Sequence, residues 1–406
     1  MTIQGVGDAW VGNELRVVQG ADIPVVLHAL RKPQKTFFSS PDIAALDQAT
    51  RAIYPLSKRQ ALAALLAAPG RFGGRFWRAL GQALTGPRES FRIRALGLWH
   101  LAVACHWAAG LRGQDVPHIH SQWAHAGASV AMYGAALLGV SFSFTGHAAD
   151  LFRERAALKS KIDAAEFIVC ISEFHRRFYL SEGADPDKLF VAYCGIDTAH
   201  FSPVRRTRPD GAPLRILSSG RLVDKKGFDV LIEALAILRG RGLAFEAVIS
   251  GSGPLEARLR AQISAQNLED LVTLTGEALK QEDIPAFMAS GDVYTLACQR
   301  APDGDIDGLP QMLMEAMACG LPAVSTDLVG IPDLIEDNET GLLIAPENAT
   351  ALADALQRFD TDRALADRLA EAGRRCVLER FDLSVCLQPL LSQFQTRLDP
   401  TGDTDV

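Results

Sequence analysis

At 406 residues the chain is too long for one hydrophobic core, because such cores stop growing at about 250 to 300 residues, so two domains are expected. A composition of 48% hydrophobic and 22% charged residues excludes long disorder, collagen-like repeats and a disulfide scaffold. A net charge of −7 argues against a general nucleic-acid binder, and seven cysteines with no C-x-x-C pair argue against a zinc ribbon and fit a reducing cytoplasm.

In chain order, the opening MTIQGVGDAWVGNE lacks a positive run followed by an apolar core and does not read as a signal peptide. VVLHAL (25 to 30) reads as the first strand. Residues 56 to 113 carry nine cations against one acid, Glu89, a net +8 that leaves −15 for the rest of the chain. Phe72, Phe76, Trp77 and Phe91 are interleaved with those arginines, which reads either as a face for an anionic membrane or as a basic solvated face around buried aromatics. Within the segment, residues 95 to 111 form a 17-residue uncharged run, short of the roughly 20 needed to span a bilayer, and predict a buried helix. Strands follow at 117–122, 140–145, 166–171 and 189–194, so the first half is α/β. SPVRRTRPDGAP (202 to 213) has no apolar period and reads as a linker.

The second half alternates short Val/Ile/Leu runs with helical periods. Strands are predicted at 214–219, 245–250, 272–275, 292–297, 322–326 and 341–345, and helices near 228–240, 254–266, 283–289, 310–319 and 348–359. Strands apolar on both faces with helical crossovers imply a parallel, doubly wound sheet, whose ligands bind at the carboxyl ends of its strands. The tail from about 361 is helical. The expected division is a first domain over 1–202, a linker over 203–213, a second domain over 214–375, and last helices over 376–406 that pack back on the first domain.

Chemistry concentrates at those carboxyl ends. The strand LRILSS runs into GRLVDKKG, so Gly220, Arg221, Lys225 and Lys226 precede a helix amino terminus; this reads as a diphosphate site on Arg221 and Lys226 or as a solvated basic turn. GSGP adds Gly251 and Gly253 in a second turn that could admit a phosphate or ribose closely. APDGDIDGLPQMLMEAMACG sets Asp307 eight residues before Glu315, either a pair of sugar-binding carboxylates or an acidic loop and a solvated helical Glu. DGDIDG resembles the start of a calcium loop, but its twelfth position is Met314, so no metal is assigned. All nine histidines precede the linker. His118 and His120 would share one strand face as core or cleft residues, while His147 follows a strand end with Asp150 three residues on, a substrate-orienting ring or a capped turn.

Taken together, SGRLVDKKG, GSGP, TGEA, the D-x7-E segment and GIPDLIEDNETGLL resemble the donor domain of retaining GT-B glycosyltransferases of family 4. DAWVGNE, IHSQWAH, SFTGHAADLF, VCISEF and CGID are similar to the bacterial exopolysaccharide and colanic-acid type within it. The resemblance implies a GT-B fold, two Rossmann-like doubly wound domains facing across a cleft, and transfer of a hexose from a nucleotide sugar to a glycan acceptor, lipid-linked, in surface polysaccharide assembly. It implies that Arg221 and Lys226 hold the diphosphate without a metal or other cofactor and that Glu315 holds the ribose. Asp307 with Gly308, Leu309 and Pro310 would hold the hexose, the main chain of Gly276, Glu277 and Ala278 would meet the base, and His147, with His120 and Asp150, would lie on the acceptor side. Uridine is the preferred base. The expected location is cytoplasmic, peripheral on the inner face of the membrane. Two departures stand out: Asp307 replaces the family's first Glu, and Asp8 follows Met1 by only seven residues, where the family usually has an apolar strand and a Gly loop. The rival is a non-catalytic nucleotide-sugar-binding subunit.

Overall fold

A computed structural model describes residues 9–32, 41–87, 89–152, 155–203 and 208–398. Residues 1–8, where the departure at the chain start falls, Arg88 of the basic segment and residues 204–207 of the expected linker lie outside the described residues. The chain divides into two compact units, one of residues 1–193 with 387–406 and one of residues 194–386. The first crossing thus falls at Tyr193/Cys194, ahead of the Pro- and Arg-rich segment.

Unit 1 holds β1 (His28–Ala29) and β2 (Arg51–Ala52), a parallel pair, and a four-stranded parallel sheet of β3 (His118–Ser121), β4 (Ser141–Gly146), β5 (Phe167–Cys170) and β6 (Leu189–Val191) in that order. The expected strand over 25–30 shrinks to β1, because only His28 and Ala29 find ladder partners and Val26 is 63% exposed. β2, two residues long, was not anticipated. The uncharged run of 95–111 lies in the helix Phe91–Leu111, whose Leu101, Val103, Ala104 and Trp107 are buried in the core with the helix Ala126–Leu138. No helix among the described residues is long and apolar enough to cross a membrane. The helix Gln388–Leu398 belongs to unit 1, where Phe394 meets Phe167 edge to face at 6.1 Å and Arg397 pairs with Glu166 at 2.9 Å. Residues 376–386, expected with those last helices, stay in unit 2, where Asp382 caps the turn at Thr198 and the Ile196 amide donates to the Phe381 carbonyl.

Unit 2 is built on six parallel strands, β7 (Leu214–Ser219), β8 (Phe245–Ser250), β9 (Val272–Leu274), β10 (Val293–Leu296), β11 (Ala323–Thr326) and β12 (Leu342–Ile344), in the order β12-β11-β10-β7-β8-β9. β7 and β10 are buried almost throughout, as strands covered by helices on both faces must be. The order reverses between β7 and β10, and a sheet of this kind places its ligands at the carboxyl ends of the strands beside such a reversal.

Candidate functional site

The loop after β7 passes through Gly220 and the short 3-10 turn Asp224–Lys226 to Gly227, which takes φ 65° at the start of the helix Phe228–Gly240. A Cβ at Gly227 would stand 1.7 Å from the Ala297 carbonyl, so only glycine lets this turn close onto the end of β10. Gly251 and Gly253 were expected to admit a ligand. A Cβ on Gly251 would meet the Gly220 carbonyl at 1.9 Å, and one on Gly253 the Leu222 carbonyl at 2.5 Å. The Cβ side of each is filled by the first turn, so the lack of a side chain lets the two loops pack together.

That packing brings the basic turn against the acidic loop after β10. Lys226 Nζ lies 2.6 Å from Asp307 Oδ2, and Lys225 Nζ lies 3.1 Å from Asp307 Oδ1 and 3.2 Å from Asp305 Oδ2. All four side chains are largely enclosed. Burial works against the Lys226 ammonium, yet the Asp307 carboxylate outweighs it and holds the lysine above its ordinary pKa. Burial likewise opposes the Asp307 charge, and Lys226 and Lys225 together hold this carboxyl below the usual carboxylate range. Asp305 and Asp307 of DGDID therefore face lysine ammoniums, while Asp303 accepts from the Asp305 amide at 3.0 Å. Arg221 differs: it is exposed and makes no side-chain hydrogen bond or ion pair among the described residues.

Asp307 leads through Gly308, whose carbonyl accepts from the Gly330 amide at 3.0 Å, and Leu309 to Pro310, which starts the helix Gln311–Ala318. Glu315 lies inside this helix and is 5% exposed, which removes the reading of a solvated glutamate. Its Oε1 accepts from Gln281 Nε2 at 3.5 Å and its Oε2 has no partner. Burial pushes this carboxyl up to about 7. A buried carboxyl oxygen without a donor is costly, and a ligand hydroxyl would satisfy it. Beyond β9, Gly276 takes φ 76°, the Glu277 carbonyl accepts from Ser250 Oγ at 3.1 Å and from Thr275 Oγ1 at 3.0 Å, and Ala278 is exposed. Sequence reasoning placed Lys225 in the turn without a role and missed Gln281; no short-range signal marks a residue 34 positions before its partner.

Eight of the nine histidines belong to unit 1, and His200 to unit 2. His147 sits just past β4, buried, and its ring Nε2 lies 3.0 Å from the Gln122 carbonyl. A carbonyl only accepts, so Nε2 carries the proton and Nδ1 the lone pair. Burial lowers this imidazole to about 4, so it is neutral at physiological pH. Asp150 was expected on the acceptor side. Its carboxylate is consumed by three backbone amides, Ala124 at 2.7 Å, Ala148 at 2.9 Å and His147 at 3.1 Å, which makes it the clamp between the loops after β3 and β4. Lys161, fully buried and not singled out from sequence, grips the same loop from the carbonyl side through Ala124 and His125. His120 was expected on the acceptor side. Its ring nitrogens meet Ser143 Oγ at 2.7 Å and Thr145 Oγ1 at 3.1 Å, and the ring packs on Phe167 and Phe394, so it joins the sheet to the last helix. Glu14, also missed, is buried, accepts from Gln122 Nε2, and is pushed up to about 7 by burial. Asp150→Ala should cost about 3 kcal/mol in urea unfolding, because buried amides lose a charged acceptor; a loss under about 1 kcal/mol would remove the clamp role.

The parallel sheets, the reversal between β7 and β10 and the cation-lined turn at that reversal define a GT-B architecture. A glycosyltransferase of Rickettsia africae superposes with a TM-score of 0.72 at 18% identity, covering 98% of both chains, and Anabaena HepE in complex with UDP and glucose with a TM-score of 0.65 at 18% identity, covering 97% of this chain and 98% of the other. At that identity they speak for the fold. The model of glycosyl transferases group 1 matches residues 204–376 and that of glycosyltransferase family 4 residues 66–200. Both stretches of the chain are thus similar to these glycosyltransferase families. Its relatives include the amylovoran biosynthesis glycosyltransferase AmsK of Erwinia amylovora, 37% identical over 250 residues that make up 60% of this chain and 61% of that protein. A GDP-mannose-dependent phosphatidylinositol monomannoside mannosyltransferase of Mycobacterium tuberculosis H37Rv is 30% identical over 231 residues, 55% of this chain and 60% of the other. The chain thus matches about six-tenths of the length of these relatives.

Proposed function

We propose that this protein is a retaining glycosyltransferase that moves a hexose from a nucleotide sugar to a lipid-linked glycan acceptor in surface polysaccharide assembly. The observation that carries the reading is Glu315 Oε2, buried without a donor on the helix that follows the Lys225–Lys226–Asp307 cluster at the sheet's reversal. Lys226 and Arg221 would take the diphosphate, Glu315 the ribose and Asp307 the hexose. The bond from the anomeric carbon to the diphosphate oxygen breaks as the acceptor oxygen bonds on the same face, and the departing diphosphate takes the acceptor proton. Cations on the leaving group supply the main stabilisation, with no metal in that role. The neutral His147 would orient the acceptor side. A uridine diphosphate sugar remains the preferred donor, although one relative's name specifies GDP-mannose.

The test is a panel of radiolabelled nucleotide sugars with extracted glycolipid acceptors, run with and without EDTA. Transfer of one sugar that survives EDTA is expected; saturable binding without turnover would make the protein a donor-binding subunit and end the catalytic reading.

Peripheral attachment to an anionic inner membrane surface is part of the same proposal. Phe72 and Phe76 are buried, whereas Trp77 is 60% and Phe91 86% exposed, with Leu66 at 73% and Arg78 also outward. Exposed apolar and cationic side chains of this kind suit the headgroup interface. Wild type is expected to sediment with phosphatidylglycerol vesicles at low salt, and Trp77→Ala/Arg78→Glu much less; equal sedimentation of the two would remove this face as the contact.

A further inference from the structure

The helices Lys58–Phe72 and Gly74–Thr85 meet at Gly73, and beside this junction lies an open cavity of about 340 Å³. Three guanidiniums border it, Arg71, Arg75 and Arg112, over apolar walls that include Phe72, Leu111 and Val140. No carboxylate lines it, and none of the three arginines forms an ion pair among the described residues. Two of the three are held in place. Arg75 Nη1 donates to the Leu138 carbonyl at 2.6 Å, and its guanidinium lies where a Cβ on residue 139 would come within 2.3 Å, so Gly139 at φ 74° is what lets it seat. Arg112 lies over the Phe72 ring at 5.9 Å. The helix that carries Arg75 has no side-chain cap at its amino terminus, so its first turn adds positive potential there.

The cavity is not part of the proposed reaction site. Residues 111–116 lead into β3 and residues 138–140 into β4, so it lies at the amino-terminal edge of the unit 1 sheet, while His147 follows the carboxyl end of β4. Three unpaired guanidiniums suit a phosphate, each offering a planar fork of donors. Apolar walls beneath them suit the chains attached to it. An inorganic anion would satisfy the arginines and leave the walls wet; an uncharged amphiphile would do the reverse.

We propose that this cavity binds the phosphate head group of an anionic lipid. The proposal builds on the membrane reading, and a monomeric probe separates the two, since it needs no bilayer. Dihexanoyl phosphatidic acid below its micellar concentration, dihexanoyl phosphatidylcholine and inorganic phosphate are titrated calorimetrically into the full chain at constant ionic strength. The phosphatidic acid should bind at one site, at least about tenfold tighter than either control. Arg71→Gln/Arg112→Gln, which removes no hydrogen bond, and Arg75→Gln should each weaken it by about tenfold or more, with circular dichroism reporting an unchanged fold. Arg59→Gln, outside the cavity, should not. Equal affinity for inorganic phosphate, absence of binding to wild type, or full binding by the folded double variant would each overturn the proposal. Vesicle sedimentation that persists in such a case would leave the membrane reading standing alone.

Discussion

Lys226→Ala is expected to lower sugar transfer about a hundredfold while the protein stays folded, the cost of losing one cation aimed at developing leaving-group charge. The fold should survive because Asp307 keeps Lys225 at 3.1 Å and is not left as a lone buried charge. The same ion pairs predict an opposite response at Asp307. Lys226 is engaged by this carboxylate at 2.6 Å, so a diphosphate must draw the ammonium away from it. Asp307→Asn weakens that competition, and nucleoside diphosphate should bind more tightly even as transfer slows. Single-turnover rates and diphosphate titrations on both variants decide the matter. Transfer by Lys226→Ala within about threefold of wild type, or weaker diphosphate binding by Asp307→Asn, would detach this cluster from the reaction.

The extent to which these features could be read in advance followed the range of the forces involved. LRILSS became β7 over the same six residues, and the helix at 228–240 took its expected bounds, because burial on both strand faces and a 3.6-residue period write themselves into neighbouring positions. VVLHAL carried a similar local signal, yet only two of its residues pair, since its partner Arg51–Ala52 is too short to announce itself. Phe76, Ala79 and Ala83 are buried at helical spacing while Trp77 and Leu84 are exposed, so the period within residues 74–85 was the clue that separates core aromatics from surface ones. In the site, residue type and spacing marked Arg221, Lys226, Asp307 and Glu315. What they could not mark was who faces whom. The consumption of Asp150 by the Ala124 amide and the filling of the space at Gly251 by Gly220 are products of tertiary packing between distant segments.

Glu315→Gln is expected to make the protein more stable and a poorer donor binder, with both effects following pH. Burial raises the folded carboxyl from 4.5 to about 7, so between those values the folded state holds a proton that the unfolded state has released. Stability must then fall as pH rises through that window, by a total on the order of 3 kcal/mol for this group. Gln removes the penalty: the variant should match wild type near pH 4 and exceed it above pH 7. Glu14, raised to about 7 by burial in unit 1, adds a fall of the same sign in both proteins, so the difference between their profiles isolates Glu315. Donor binding reverses the balance. Ribose hydroxyls donating to the carboxylate favour its charged form, so wild type should release a proton on binding below about pH 7, which calorimetry in buffers of different ionisation enthalpy detects. The variant should release fewer protons and bind about thirtyfold more weakly, the worth of one hydrogen bond to a charged group. Should Glu315→Gln keep full donor affinity, or prove less stable than wild type at pH 8, the buried carboxyl would be a packing residue, and the nucleoside would have to be held elsewhere.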